Sequence, residues 1–294
     1  MPDLSDVLKG LSLEQEVACT DPGNILLTAC PGSGKTRTLT RRLAYQAFQK
    51  PFSQKLNIAI TYTNRAAEEI MNRLTDMDVD LANIWTGTIH QFCMRFIIRP
   101  YAMYSNRLSK GYTIIDEFVK SEYGKRFAKE LGINLNYYDN PFQYSDVVNK
   151  YEQTLTEKKE IDFEMILRFS DELLEHCPFI CANIASTVNS ILVDEFQDTN
   201  ELQYTILARI FKKNKAISIM FVGDTNQAIY GSLGGVAKCK IELDSLFETT
   251  FQEMALTGCY RSTQRLVDLY SNFEVSKISA YSVAEIKNIT GTIS

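Results

Sequence analysis

The strongest constraint on this chain is the octapeptide Ala29-Cys30-Pro31-Gly32-Ser33-Gly34-Lys35-Thr36. It follows a short apolar run (NILLTA, 24–29) and opens a segment with helical apolar spacing, which is the strand, loop and helix context that a phosphate-binding loop needs. Gly32 and Gly34 lack the Cβ that would hold the backbone away from a phosphate, and the N–H groups that follow face the anion at a helix N-terminus. Lys35 is placed to reach the β and γ phosphates of a nucleotide, and the Thr36 hydroxyl to ligate magnesium. Pro31, Ser33 and Arg37 complete the segment read as cofactor-binding. Ala29 stands where the strict pattern has its first glycine, a small-residue variant. The bland alternative is a glycine-rich turn that only caps a helix, and the strand before it argues against that.

Such a loop implies an α/β fold, and the rest of the chain has the matching texture. The runs at 24–29 (NILLTA), 56–62 (LNIAITY), 190–193 (SILV) and 216–222 (AISIMFV) are too short for independent helices and read as buried parallel strands. Segments 36–49, 64–74, 90–98, 201–211 and 263–273 have apolar residues three and four apart and read as helices. Between about 105 and 159 tyrosines, asparagines and charges replace this alternation, which predicts an inserted, mostly helical subdomain.

Composition narrows the class further. At 294 residues the length suits about two domains. No apolar run approaches the roughly eighteen residues of a membrane span, and the N-terminus MPDLSDVLKGLSLEQE has no basic start followed by an apolar core. The expectation is a cytoplasmic protein without a membrane partner. Thirty-one basic against thirty-six acidic side chains give a net charge of −5, so any nucleic-acid contact has to come from a local patch. The seven cysteines are odd in number and scattered, and only Cys177 and Cys181 are close neighbours, which favours reduced buried thiols over zinc or disulfides.

A nucleotide hydrolase also needs an acidic pair at a strand end, to hold magnesium and to activate water. Ile191-Leu192-Val193-Asp194-Glu195 supplies one, with Asp194 on the metal and Glu195 polarising the attacking water. Asp198 or Thr199 downstream is open to a simpler role as the cap of the next helix. More than half the chain separates this pair from Lys35, which leaves room for the insert.

With these residues in hand, the chain resembles the superfamily 1 DNA helicases of the UvrD, Rep and PcrA type. Leu13-Glu14-Gln15 is similar to the family's Q motif, and the resemblance implies that the Gln15 amide reads an adenine edge. The segment IAITYTNRAAEEIMNRL (58–74) resembles one that touches single-stranded DNA, which nominates Tyr62, Thr63 and Asn64. Thr86-Gly87-Thr88-Ile89-His90 resembles the next DNA-facing motif, nominating Thr86, Thr88 and His90, although His90 is equally open to a packing or capping role. Asp194-Glu195-Phe196-Gln197-Asp198-Thr199 is similar to the DExQD signature and Gly223-Asp224-Thr225-Asn226-Gln227-Ala228-Ile229-Tyr230 to the GDxxQxIY segment. The resemblance implies that Gln227 senses the γ-phosphate, that Gln197 couples nucleotide state to the DNA side, and that Tyr230 is DNA-binding. Gly258-Cys259-Tyr260-Arg261-Ser262 resembles the NYRS motif, implying Tyr260 on the adenine and Arg261 as a catalytic charge on the transferring phosphoryl.

The implied organisation is a P-loop RecA-like domain with a central parallel sheet flanked by helices and interrupted by a helical insert. Residues 1–104 form its first part, 105–158 the insert, 159–256 its second part, and 257–294 the start of an incomplete second RecA-like domain. Two departures stand out. Ser232-Leu233-Gly234-Gly235 replaces the aromatic and arginine expected after Ile229-Tyr230-Gly231, removing a base-stacking platform worth about 1–3 kcal/mol. Trp85, Tyr62 and Tyr230 are the aromatics open as substitutes, each with a core role as the alternative. The chain also stops soon after Tyr260-Arg261, so the expectation is a fragment of a longer protein whose isolated form lacks part of its ATP cleft, with a degenerate or split family member that needs a partner as the alternative.

The resulting reading is the ATP-binding half of a UvrD-like helicase, using ATP and Mg2+ to move along single-stranded DNA. An alternative is a UvrD-like nucleotide-sensing subunit of an anti-phage or nuclease assembly, with a nuclease or other protein partner and no unwinding of its own. A small-molecule kinase or other P-loop NTPase is a third reading, which has no use for Gln15, Tyr260 or the segment 86–90.

Overall fold

The computed structural model describes residues 4–50, 53–136, 138–227, 235–272 and 279–284. From the N-terminus come α1 (Leu4–Leu8), α2 (Leu13–Thr20), β1 (Asn24–Ala29), α3 (Lys35–Gln49), β2 (Leu56–Thr61), α4 (Asn64–Asp76), β3 (Ile84–Thr88), α5 (Ile89–Cys93) and α6 (Arg99–Tyr101). Then follow β4 (Thr113–Ile114), α7 (Glu117–Glu130), α8 (Ser145–Lys158), β5 (Glu160–Ile161), α9 (Phe163–His176), α10 (Pro178–Thr187) and β6 (Val188–Asp194). The last elements are α11 (Glu201–Phe211), β7 (Ser218–Gly223), α12 (Lys240–Phe247), β8 (Phe251–Leu256), β9 (Gly258–Cys259), α13 (Gln264–Ser271) and β10 (Tyr281–Ser282).

Local chemistry sets the helix starts. The Ser12 hydroxyl accepts the Gln15 N–H while the Gln15 amide oxygen accepts the Ser12 N–H, a reciprocal cap that opens α2. Asn200 and Gln203 do the same for α11, and Thr63, Asp116 and Asp162 cap α4, α7 and α9. The helix expected over 90–98 changes pitch on the way. A π-helical turn occupies Met94–Ile98, with the Arg99 N–H bonded to the Met94 carbonyl. Pro100 follows immediately and brings no N–H to an α-helical ladder, so the register slips where a donor is missing.

The chain forms two compact units, one from residues 1–89 with 181–294 and one from 90–180. The first is a RecA-like α/β unit around a six-stranded, all-parallel sheet in the order β3-β2-β6-β7-β1-β8. Alternate residues serve its two faces. Ile25, Leu27, Leu192, Met220 and Val222 pack with Leu39, Leu43 and Ala44 of α3, while Phe221 meets Tyr204 of α11 and Phe247 of α12 with ring centroids 5.5 Å apart. The second unit is helical. In it Tyr123, Phe127, Phe142 and Tyr151 form a ring cluster between α7 and α8. The buried Asp162 carboxylate accepts hydrogen bonds from Met165 N–H (2.8 Å) and Tyr151 Oη (3.0 Å) and pairs with Lys120 (3.3 Å), closing α9 onto this cluster. The inserted segment read at 105–158 lies inside this unit. Among the described residues no helix is long and apolar enough to cross a membrane.

Candidate functional site

Because every strand of the large sheet runs the same way, the loops that follow β1, β2, β3, β6, β7 and β8 all leave from one edge. In open α/β sheets that carboxyl edge is where ligands bind. Motifs far apart in sequence therefore meet there.

The loop after β1 is shaped by two left-handed glycines, Gly32 (φ +77°) and Gly34 (φ +86°). A Cβ on Gly32 would lie 2.7 Å from Arg261 Cβ, and one on Gly34 would lie 2.8 Å from Gln15 Nε2. Both positions thus combine a conformation that L side chains avoid with a close neighbour. Ser33 is 1% exposed, and its hydroxyl is buried without a hydrogen-bond partner. A phosphate group fits this cradle, since it would give that orphaned hydroxyl an acceptor and the start of α3 an anion.

Lys35, the first residue of α3, places Nζ 3.3 Å from Glu195 Oε2. Glu195 follows β6 in the left-handed region (φ +51°), a strained conformation of the kind held in place at functional sites. Asp194 ends β6 with 6% exposure. Burial, helped by the Glu195 charge, pushes its carboxyl up to about 7 against the pull of Lys35 and the Glu195 N–H. A divalent cation beside such a group would restore the carboxylate, so Asp194 suits magnesium. Burial and Glu195 also raise the Asp198 carboxyl, whose Oδ1 is buried without a partner.

Gln197 links these acids to the next strand. Its Nε2 donates to Glu195 Oε2 (2.8 Å), and its Oε1 accepts the Asp224 N–H (3.1 Å). Gln227 Nε2 in turn donates to Asp224 Oδ2 at 2.7 Å. Lys35, Glu195, Gln197, Asp224 and Gln227 so form one continuous polar chain across β6 and β7. Gly223 leaves the room for it, because a Cβ there would sit 2.2 Å from Gln197 Oε1 and 2.7 Å from Phe196 Cδ1. Gly223→Ala is expected to destabilise the protein by about 1–3 kcal/mol through overpacking and to uncouple Gln197 from Asp224. A chemical denaturation curve with an unchanged midpoint would rule this out.

Tyr260 and Arg261 reach the same loop from β9. The Tyr260 N–H donates to the Gly32 carbonyl at 2.9 Å, and its ring is 42% exposed. Gln15 is buried, with Oε1 on the Ser12 N–H (3.0 Å) and Nε2 on the Ser33 carbonyl (2.9 Å), so its amide braces the loop from within. Arg37 does not join the cluster, because its Nη2 donates to the Gly10 carbonyl at 2.9 Å. Pro31 and Thr36 lie at the loop and in the first turn of α3.

The residues nominated for DNA lie at the ends of β2 and β3. Tyr62 is 49% exposed, the Thr63 hydroxyl caps α4, and Asn64 is the first residue of that helix. Thr86 Oγ1 donates to the Ala67 carbonyl at 3.3 Å, and Thr88 closes β3. His90 sits in the helical unit, edge-on to Phe163 with centroids 5.8 Å apart, and burial lowers its proton affinity. Trp85 is partly buried within β3. Tyr230, with residues 228–234, lies outside the described residues.

Sequence reasoning missed Glu14 and Thr257. Thr257 donates to the Glu14 carboxylate through its N–H (2.8 Å) and its hydroxyl (2.5 Å). The Ser12 to Gln15 spacing is a legible helix start, but nothing local to Thr257 announces its partner.

The family model for the UvrD/REP helicase N-terminal domain matches residues 11–138 and 121–248. The chain is 30% identical to the ATP-dependent DNA helicase PcrA of Leuconostoc citreum over 291 residues, covering 87% of this chain and 37% of that protein. It is also 30% identical to the PcrA helicase of Staphylococcus aureus strain Mu50 over 298 residues, covering 90% of this chain and 40% of the relative. The chain thus spans about two fifths of these curated relatives. Among solved structures, the Pif1 helicase of Candida albicans matches 89% of this chain and 43% of its own, with a TM-score of 0.45 and 14% identity.

Proposed function

Because the chain belongs to the UvrD/REP helicase family through its N-terminal domain, we propose that it binds Mg-ATP at the loop 29–36 and couples hydrolysis to movement along single-stranded DNA. The observation that supports this reading best is the convergence of Gly32, Lys35, Asp194, Glu195, Gln227 and Arg261 at one carboxyl edge of the sheet, on a P-loop whose Ser33 hydroxyl is buried without a partner.

In this reading Lys35 leaves Glu195 and takes the β and γ phosphates. Thr36 and Asp194 would hold the metal, which would supply positive charge to the phosphates. Glu195, released from Lys35, accepts a proton from the attacking water. Arg261 brings a guanidinium to the transferring phosphoryl, and Gln227 reports its presence through Asp224 and Gln197. The exposed Tyr260 ring is positioned to stack on a base, and Tyr62, Asn64 and the hydroxyls of Thr63, Thr86 and Thr88 form the DNA side. Gln15 contributes to the adenine end mainly by holding Ser33.

The test is nucleotide binding and magnesium-dependent hydrolysis by the 294-residue chain, with and without single-stranded DNA. Lys35→Ala is expected to weaken ATP binding by about 10- to 100-fold, the loss of one charge-assisted contact to phosphate. Binding as tight as that of the unaltered chain would remove Lys35 from the phosphate site.

A further inference from the structure

Two adjacent side chains of α2 hold two neighbouring segments at the proposed nucleotide site. Gln15 holds the P-loop through the Ser33 carbonyl. Glu14 holds the segment after β8, because its two carboxylate oxygens take both donors of Thr257, the N–H at 2.8 Å and the hydroxyl at 2.5 Å. Thr257 stands immediately after β8 and three residues before Tyr260.

The backbone around this point explains why the anchor matters. The ladder between β1 and β8 ends with the Cys30 N–H on the Leu256 carbonyl (3.2 Å), the Cys30 thiol adds a bond to the Thr257 carbonyl (3.6 Å), and the next backbone link is the Tyr260 N–H on the Gly32 carbonyl (2.9 Å). Between the two backbone links the Thr257 N–H leaves the ladder for Glu14. A shift of Thr257 therefore moves the segment that carries Tyr260 and Arg261 against Gly32, where Arg261 Cβ already occupies the space of a missing Cβ.

We propose that Glu14 is a positioning residue. Through Thr257 it sets where Tyr260 and Arg261 stand against the P-loop, so nucleotide affinity depends on a carboxylate that does not itself touch the nucleotide. A carboxylate accepts both donors of Thr257 at once. A glutamine would accept the N–H and donate its NH2 to the Thr257 hydroxyl, which also accepts, and so exchanges a charge-assisted pair for a neutral one, whereas a leucine removes both acceptors. This inference rests on the nucleotide reading above.

The experiment is a titration of Mg2+ and a fluorescent N-methylanthraniloyl-ADP into the 294-residue chain, for the unaltered protein, Glu14→Leu, Glu14→Gln, Thr257→Val and the double variant Glu14→Leu/Thr257→Val, with melting temperatures for each. Glu14→Leu is expected to weaken binding by about tenfold, the scale of a lost charge-assisted hydrogen bond, and Glu14→Gln by less, because it keeps two neutral bonds. Thr257→Val already removes one of the two bonds. In that background Glu14→Leu is expected to cost less than about threefold, the non-additivity of residues that act through one another. A direct contact between Glu14 and nucleotide predicts the full tenfold loss in both backgrounds. A merely structural role lowers the melting temperature and leaves affinity unchanged. Unaltered affinity in Glu14→Leu, or a double variant whose loss is the product of the two single losses, overturns the proposal. Lys35→Ala measured alongside tests the underlying reading separately, and absence of binding by the unaltered chain overturns both.

Discussion

Glu195→Gln is expected to lower ATP turnover by about 10²–10⁴-fold, the usual contribution of a general base, while nucleotide binding is kept or becomes tighter. The asymmetry follows from the contacts of one oxygen. Glu195 Oε2 pairs with Lys35 at 3.3 Å and accepts from Gln197 Nε2 at 2.8 Å. A glutamine carbonyl keeps the bond from Gln197 but carries no charge to hold Lys35. The ammonium then has no ion-paired carboxylate to leave when phosphates arrive, and one negative charge that would repel them is gone. What the amide cannot do is take a proton from water. Turnover and fluorescent-nucleotide affinity measured on the same preparations decide the matter. Full turnover in Glu195→Gln would move the base elsewhere, with Asp198 next in line because its Oδ1 is buried beside Glu195 without a partner.

The residues that made this prediction possible were legible for a physical reason. A phosphate-binding loop needs glycines, a lysine and a hydroxyl at fixed spacing, and an acidic pair needs a strand end, so the chemistry is written locally. The strands read at 24–29, 56–62, 190–193 and 216–222 became β1, β2, β6 and β7, which fill the interior of the sheet. Strands covered on both faces carry continuous apolar runs. The two missed strands of the large sheet, β3 (IWTGT) and β8 (FQEMAL), are its two edges, where polar residues are tolerated and the run is broken. The contacts that brace the site were hidden for another reason. Glu14 finds Thr257 across most of the chain, and Gln15, expected to face adenine, has an amide bonded at both ends to the protein. Such pairings depend on which strand lies beside which, and a single sequence does not contain strand order. The π-helical turn at Met94–Ile98 was likewise invisible to a periodicity argument that assumes one pitch.

Arg42→Met is expected to destabilise the fold by about 3 kcal/mol, a fall in melting temperature of about 6–12 °C for a protein of this size. Arg42 is fully buried in the middle of α3. Burial pulls its guanidinium down to about 10, so it stays charged at neutral pH. Among the described residues no carboxylate forms an ion pair with it. Instead Nη1 donates to the carbonyls of Ala18 (2.7 Å) and Asp21 (2.8 Å), and Nη2 to the Gly23 carbonyl (3.2 Å) and Ser218 Oγ (2.9 Å). Methionine has similar bulk and no donors, so it avoids a cavity but strands the Ala18 and Asp21 carbonyls, while the Gly23 carbonyl keeps the Ser218 hydroxyl (3.2 Å), and each unsatisfied buried group costs about 1–3 kcal/mol. Some of that is offset because a buried charge is also removed. Arg42→Lys keeps the charge without the planar fork that spans four acceptors, and is expected to fall between the two. The position of the contacts adds a functional consequence. The accepting carbonyls lie in α2 and the turn before β1, and α3 begins at Lys35, so Arg42 ties together the segments on both sides of the P-loop. Arg42→Met should therefore lose nucleotide affinity along with stability, whereas Glu195→Gln loses turnover alone. Saturating Mg-ADP should raise the melting temperature of the unaltered chain more than that of Arg42→Met, as linkage requires when affinity falls. A melting temperature within about 2 °C of the unaltered chain, less than about 1 kcal/mol, would show that water reaches the stranded carbonyls and that the guanidinium does not hold the two flanks together.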